Sequence, residues 1–206
     1  MDSKITAIVL AAGQARRMGQ QKLLLPWAGK AVLRHIVDEL DTSEIDRTIV
    51  VTGGDHDLMV DCLKGCDVVV ERNRTVHEGM LSSVRTGLKK VGEGAHAVMI
   101  VLGDQPSLSS SLINGVIGFW RKDGSRIVRP AFNGGHGHPV LIPIGFREKI
   151  MSEFDDVGLK GLVHQFPDRV REWDVDDPGV LIDIDTPEDY AHELARLQSS
   201  TSTLLP

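Results

Sequence analysis

The stretch Thr6-Ala-Ile-Val-Leu-Ala-Ala-Gly-Gln-Ala-Arg-Arg-Met-Gly-Gln-Gln-Lys22 reads as a short apolar strand running into a loop of small residues studded with cations. In open α/β sheets ligands bind beyond the carboxyl ends of the strands, and this loop stands at such an end. Leu10, Ala11, Ala12 and Gly13 leave little side chain in the way, so backbone N–H groups can come close to an anion or a base edge. Arg16, Arg17 and Lys22 add charge-assisted donors of the kind that hold phosphates. Two familiar phosphate loops are excluded. A dinucleotide fingerprint needs Gly-x-Gly-x-x-Gly, but Ala15 stands where its second glycine would fall and position 16 is not Gly either. A P-loop needs Gly-Lys-Ser/Thr, but Gly19 is followed by Gln20 and Gln21. A solvated surface loop is the plain alternative.

Outward from this strand the pattern repeats. Arg47-Thr-Ile-Val-Val-Thr52, Cys66-Asp-Val-Val-Val-Glu71 and Ala97-Val-Met-Ile-Val-Leu102 read as further strands, the last apolar on both faces and therefore central. Between them Val32-Ile36-Val37-Leu40, Leu58-Cys62 and Leu81-Val84-Leu88 recur at three- and four-residue steps, one helix face each. This alternation predicts an α/β fold, a Rossmann-like three-layer sandwich on a mostly parallel sheet. After residue 124 the rhythm changes: Arg126–Pro130 and His138–Ile142 flank Gly134-Gly-His-Gly137 and predict a late hairpin. Gly158 to Gly161 opens a short helix, and Val170–Val175 and Val180–Ile184 read as two late strands. Thr186 caps a last helix, with Pro187 at its first position and Glu188 and Asp189 in its first turn. Residues 199–206 carry no core-forming pattern and are expected to be disordered. No repeat or linker divides the chain, so residues 1–198 read as a single domain.

The composition narrows the class. Of 206 residues 41% are hydrophobic, globular rather than disordered. The longest apolar run, Ile5 to Ala12, falls far short of the roughly twenty residues of a membrane helix. Cys62 and Cys66 are the only cysteines, and with no secretory signal ahead of them a reduced, cytoplasmic setting is expected. The net charge of −6 argues against a nucleic-acid polymer as partner. That total hides an asymmetry. Residues 3–37 carry six cations and no acid, whereas residues 153–206 carry 13 acids against 4 bases.

The motifs resemble a known group. Leu10-Ala-Ala-Gly-x-x-x-Arg-Met-Gly-x-x-Lys22 is similar to the signature of MobA-like nucleotidyltransferases, whose fold is that of the nucleotide-diphospho-sugar transferases. Lys22-Leu-Leu-Leu-Pro26, Gly79–Gly87, Gly103-Asp-Gln-Pro106 and Gly137-His-Pro-Val-Leu141 are similar to its molybdenum cofactor cytidylyltransferase branch. The resemblance implies a nucleotidyltransferase domain over residues 1–198 that moves CMP from CTP to the phosphate of a molybdopterin-type cofactor and releases pyrophosphate. Mg²⁺ is the implied cofactor, and a molybdoenzyme receiving the product is a further implied partner. A guanylyltransferase, a sugar-phosphate nucleotidyltransferase and a non-catalytic cofactor carrier stand as alternatives.

Candidate site residues follow. Asp104 directly follows the most apolar strand, so it stands at the carboxyl edge as either a metal carboxylate or an Asx-turn residue. The resemblance favours the metal. Asp183 and Asp185 are two apart, share one face if extended, and repel unless a cation lies near them. The resemblance places Asp185, just before Thr186-Pro-Glu-Asp189, in the metal site. Glu188 and Asp189 are explained by the helix N-terminus alone. The same resemblance puts base reading in Glu71 to Gly87, where Gly79 permits close approach and Ser82 and Ser83 offer hydroxyls, unless a serine is only a helix cap. His136 and His138 supply too few ligands for zinc. With Gly137 they are assigned instead to the acceptor side, where a glycine-rich hairpin presents imidazoles to a phosphorylated substrate. Lys22, Arg16, Arg17 and Asp104 are the expected catalytic set.

Overall fold

The computed structural model describes residues 3–13, 18 and 20–202; Arg16 and Arg17 lie outside the described residues. Strand β1 (Ile5–Ala11) is buried along nearly its whole length. Its side chains alternate with the strand period of two. Ile5, Ala7, Val9 and Ala11 enter one apolar cluster, and Ile8 enters the other. After it come the ribbon β2 (Pro26–Trp27) and β3 (Lys30–Ala31), α1 (Val32–Asp41), β4 (Arg47–Thr52), α2 (His56–Cys62) and β5 (Val68–Arg72). Then follow α3 (Met80–Leu88), β6 (Ala97–Leu102), α4 (Ser110–Arg121), β7 (Ile127–Phe132), β8 (Gly135–His136) and β9 (Val140–Pro143). Helices α5 (Arg147–Ser152) and α6 (Leu159–Gln165), strand β10 (Val170–Asp174) and helix α7 (Pro187–Ser202) complete the described chain.

The main sheet runs β10-β7-β9-β6-β1-β4-β5, with β8 paired to β7. Strands β6, β1, β4 and β5 are mutually parallel, and β10 is parallel to β7. Only β9 is reversed within that path, antiparallel to β6 and β7. Helices α1, α4 and α7 cover one face and α3, α5 and α6 the other, which is the expected three-layer sandwich. Both faces being covered, the central strands had to be apolar on both sides.

Five details differ from the expectations. The late hairpin exists, but its turn is Asn133-Gly134, with φ of 49° and 79°, and the paired return strand is only Gly135–His136. Two positive φ values in a two-residue loop match the right-handed twist of a hairpin. The His138–Ile142 segment, expected to be the second arm, instead enters the sheet as β9 between β7 and β6. Val180–Ile184 is not a strand. Pro178 fixes its own φ and Asp177 Oδ1 accepts from Gly179 N at 2.8 Å, so Pro178–Leu181 winds as a 3₁₀ turn. On α2 the buried residue is Met59, while Leu58 faces solvent. The last helix runs on to Ser202, four residues into the segment expected to be disordered, and residues 203–206 lie outside the described residues. Once begun, a helix gains one bond per residue, and Ser199 Oγ returns its hydrogen to Ala195 O. Among the described residues no helix is long and apolar enough to cross a membrane.

Candidate active site

The end of β1 is wedged between two glycines. A Cβ at Gly53, just past β4, would stand 2.6 Å from Ala12 O, and one at Gly103, just past β6, 2.9 Å from Leu10 O. Any side chain there would push the neighbouring strand ends away from the β1 loop, so the two glycines fix where Leu10–Gly13 lies. Leu10, Ala12 and Gly13 line a cavity of about 380 Å³ at this sheet edge. Ala11 instead turns its side chain into the core under α1.

The charged wall of the cavity is built from distant parts of the chain. Lys22 begins a 3₁₀ turn whose preceding residue, Gln21, accepts from Leu23 N. Its Nζ donates to Asp104 Oδ2 at 2.6 Å and to Asp185 Oδ1 at 2.8 Å. Burial works against the ammonium, but the carboxylates outweigh it and hold Lys22 above the usual lysine range. Asp185 is held in turn. Ile184 N donates to Asp104 O at 2.9 Å, and Asp189 Oδ2 accepts from Asp185 N and Thr186 N while Thr186 Oγ1 accepts from Asp189 N. Thr186 therefore caps α7 reciprocally, as expected, and the same cap fixes the backbone of Asp185.

Asp183 completes the cluster, for carboxylate oxygens of Asp104, Asp183 and Asp185 all lie within 4.8 Å of one another. Burial, then the charges of Asp104 and Asp185, raise Asp183 above the ordinary carboxylate range. Three hard oxygen donors at this spacing suit a small divalent cation such as Mg²⁺ or Mn²⁺. The donor chemistry fits the expected metal, and the Lys22 ammonium supplies counter-charge to two of the same carboxylates.

Val76, Gly79, Met80 and Ser83 form the opposite wall. Neither serine is a cap: α3 starts at Met80, after Gly79 at φ 91°. Ser82 and Ser83 are both buried, and both accept from Asn73 Nδ2, at 2.8 and 3.0 Å. Ser83 faces the cavity with Lys22, whereas Ser82 faces a neighbouring one beside Arg85 and Asp155. Sequence reasoning missed Gly53, and it gave no role of their own to Asn73, within the base-reading segment, or to Gly103, within a quoted motif. All three directly follow strands on the carboxyl edge, the one signal that would have found them.

The histidines part company. His136 sits on the exposed hairpin, its Nε2 2.8 Å from Glu172 Oε1, and Arg129 with His136 holds that carboxylate below its usual range. Gly137 is buried against Val180, and a Cβ there would fall 2.2 Å from Val180 O. That close approach lets His138 N donate to Val180 O at 3.1 Å. Burial drives His138 down to about 4, only partly opposed by the charge of Asp104, so its ring is neutral at pH 7. Arg16 and Arg17 fall outside the described residues.

An anion-ready loop beside a lysine and three acids, at the carboxyl edge of a mostly parallel sheet, defines a nucleotidyltransferase class of α/β protein. Residues 7–170 match the family model described as MobA-like NTP transferase domain, and the chain belongs to that family. Molybdenum cofactor cytidylyltransferase of Escherichia coli K12 is 26% identical over 189 residues, covering 91% of this chain and 94% of that protein. A "probable molybdenum cofactor guanylyltransferase" of Pyrococcus horikoshii is 29% identical over 137 residues, 66% of this chain and 67% of that one. The crystal structure of Rv0371c from Mycobacterium tuberculosis H37Rv superimposes with a TM-score of 0.81 at 30% identity, covering 95% of this chain and all of that one. A complex of Rv0371c with manganese superimposes at 0.77, covering 94% of this chain and 99% of that one, at the same identity.

Proposed function

We propose that the protein transfers CMP from CTP to the phosphate of a molybdopterin-type cofactor and releases pyrophosphate, as a single nucleotidyltransferase domain over residues 1–198. The observation that carries this reading is the convergence of Lys22, Asp104 and Asp185 beside the β1 loop. The cytidylyl choice is supported by the Escherichia coli relative, matched along nearly its whole length. A guanylyl reading has the support of the Pyrococcus horikoshii relative over two thirds of each chain.

Transfer of this kind needs positioning and charge neutralisation more than covalent chemistry. An oxygen of the acceptor phosphate attacks the α-phosphorus in line; the new P–O bond forms as the bond to the β-phosphate oxygen breaks, and pyrophosphate leaves with the electron pair. The acceptor phosphate is already largely ionised at pH 7, so no general base is required. The backbone of Leu10–Gly13 seats the triphosphate, and Lys22 turns from the carboxylates toward the charge that develops at the α-phosphate and leaving group. Arg16 and Arg17 serve the same leaving group. Asp104 and Asp185, with Asp183 beside them, would hold Mg²⁺, which when bound supplies positive charge along the triphosphate. His138, neutral and half-buried beside Asp104, lies on the acceptor side, with Gly137 positioning it. Pyrophosphate release with each NTP, with and without the molybdopterin-type acceptor, tests the reading. It predicts release that depends on the acceptor and is fastest with CTP; release with GTP alone would favour the guanylyl reading, and acceptor binding without release from any NTP would favour a carrier.

A further inference from the structure

One hydroxyl in the cavity accepts a hydrogen bond from a buried amide. Asn73 follows β5, is 3% exposed, and its backbone N donates to Thr52 O at 2.8 Å. Its amide orientation is dictated by chemistry: Oδ1 lies 2.9 Å from Thr75 N, and a backbone N–H can only donate. Nδ2 must then face α3, where its two hydrogens go to Ser82 Oγ and Ser83 Oγ. Ser82 gives its own hydrogen to Gly79 O at 2.7 Å or Thr75 O at 2.9 Å. Ser83 is 4% exposed and lines the cavity, and its hydrogen has no protein acceptor among the described residues. A buried donor without an acceptor is costly unless a ligand provides one.

We propose that Asn73 is a positioning residue that aims the Ser83 hydroxyl hydrogen into the cavity, so that this wall presents a donor and selects a nucleobase edge bearing acceptors. The inference rests on the reading of the cavity as the nucleotide site. Cytosine carries acceptors at O2 and N3; the positions of guanine that match them carry donors at N2 and N1, and its acceptor O6 falls where cytosine has its N4 amine. A wall that donates therefore favours CTP over GTP, because guanine would set donor against donor.

The test is equilibrium binding of CTP and of GTP, each with MgCl₂, to the full chain, read as the ratio of the two dissociation constants. The wild type binds CTP more tightly, and Ser83→Ala shrinks the ratio about tenfold, the worth of one hydrogen bond. Asn73→Asp replaces the donating Nδ2 by an accepting oxygen, so the Ser83 hydrogen turns away from the cavity and the ratio shrinks to a similar extent. Added to Ser83→Ala, Asn73→Asp changes the ratio no further, since its effect passes through the hydroxyl. A merely structural Asn73 would weaken both nucleotides alike, in both backgrounds, and that result overturns the proposal. Should Asn73→Asp fail to fold, Asn73→Ala, which frees the hydroxyl to rotate, shifts the ratio in the same direction. A wild-type ratio in Ser83→Ala overturns the proposal whatever the Asn73 variants do. A wild type that binds neither nucleotide brings down the nucleotide reading itself, which separates the two failures.

Discussion

Replacing Lys22 by Met keeps the length of the side chain and removes its charge. Asp104, Asp183 and Asp185 then face one another with oxygens within 4.8 Å and without the ammonium that bridges two of them. What the substitution removes is the attraction of an ammonium 2.6 and 2.8 Å from two carboxylates, and one pair of opposite unit charges with centres about 4 Å apart attracts by about 4 kcal/mol at an effective dielectric of about 20 and by about 1 kcal/mol in bulk water. The side chains of Asp104 and Asp185 are 22% and 50% exposed, so the effective value lies between these limits. A loss of about 2 kcal/mol in metal-free protein lowers the melting temperature of a chain this size by roughly 4–8 °C. A divalent ion restores the missing charge. Mn²⁺ at about a hundred times its dissociation constant returns about 2.7 kcal/mol, and the wild type gains less because its carboxylates already share an ammonium. Turnover moves the other way: without Lys22 the developing charge loses a donor, and kcat falls about 100- to 1000-fold even with metal present. Thermal melts of both proteins in EDTA and in Mn²⁺, with pyrophosphate release alongside, measure all three quantities. Lys22→Met melting within about 1 °C of wild type in EDTA, and gaining no more from Mn²⁺, would refute the electrostatic reasoning.

Three further outcomes are expected. His138 binds its proton near pH 4 in the folded protein and near 6.5 when unfolded, so the unfolded chain holds the extra proton between these values and stability falls as pH drops through that window. Urea unfolding of the metal-free protein at pH 7 and at pH 4.5 should show wild type losing about 2 kcal/mol more than His138→Asn; equal losses would place the imidazole in water. Gly137→Ala forces a methyl into Val180 O and should cost about 2–3 kcal/mol, seen as a lower urea midpoint at unchanged slope, whereas Gly145→Ala, with open space around it, serves as a near-neutral control. His136→Ala, on the exposed hairpin, should lower turnover far less than His138→Ala, and the reverse ranking would move the acceptor side to the hairpin tip.

What the sequence disclosed follows from how far each signal reaches along the chain. The strand-to-loop transition at Leu10–Gly13 and the acid at the end of the most apolar strand are local patterns, and both lie at the sheet edge as the strand-end rule requires. Asp183 and Asp185 were legible as a pair although their segment is not a strand; single bonds to Asp104 and His138 hold it in place of a ladder. The reversal of β9 left no local mark, because its pairing with β6 and β7 depends on the hairpin returning between strands remote in sequence. Gly53 and Gly103 matter through close approach to another strand, and Asn73 through a side-chain network across a helix N-terminus, none of which has a periodicity to read. The acidic total of −6 likewise says little, since the triphosphate would meet Lys22 and a divalent ion at one edge and not the average charge.

The central claim is that the cluster around Asp104 performs nucleotidyl transfer. It is tested most directly by pyrophosphate release from Mg²⁺-CTP in the presence of the molybdopterin-type acceptor, comparing wild type with a folded Asp104→Ala. The account predicts one pyrophosphate per acceptor consumed for wild type and a loss of at least about 100-fold for the variant. Near-native turnover by Asp104→Ala would contradict it.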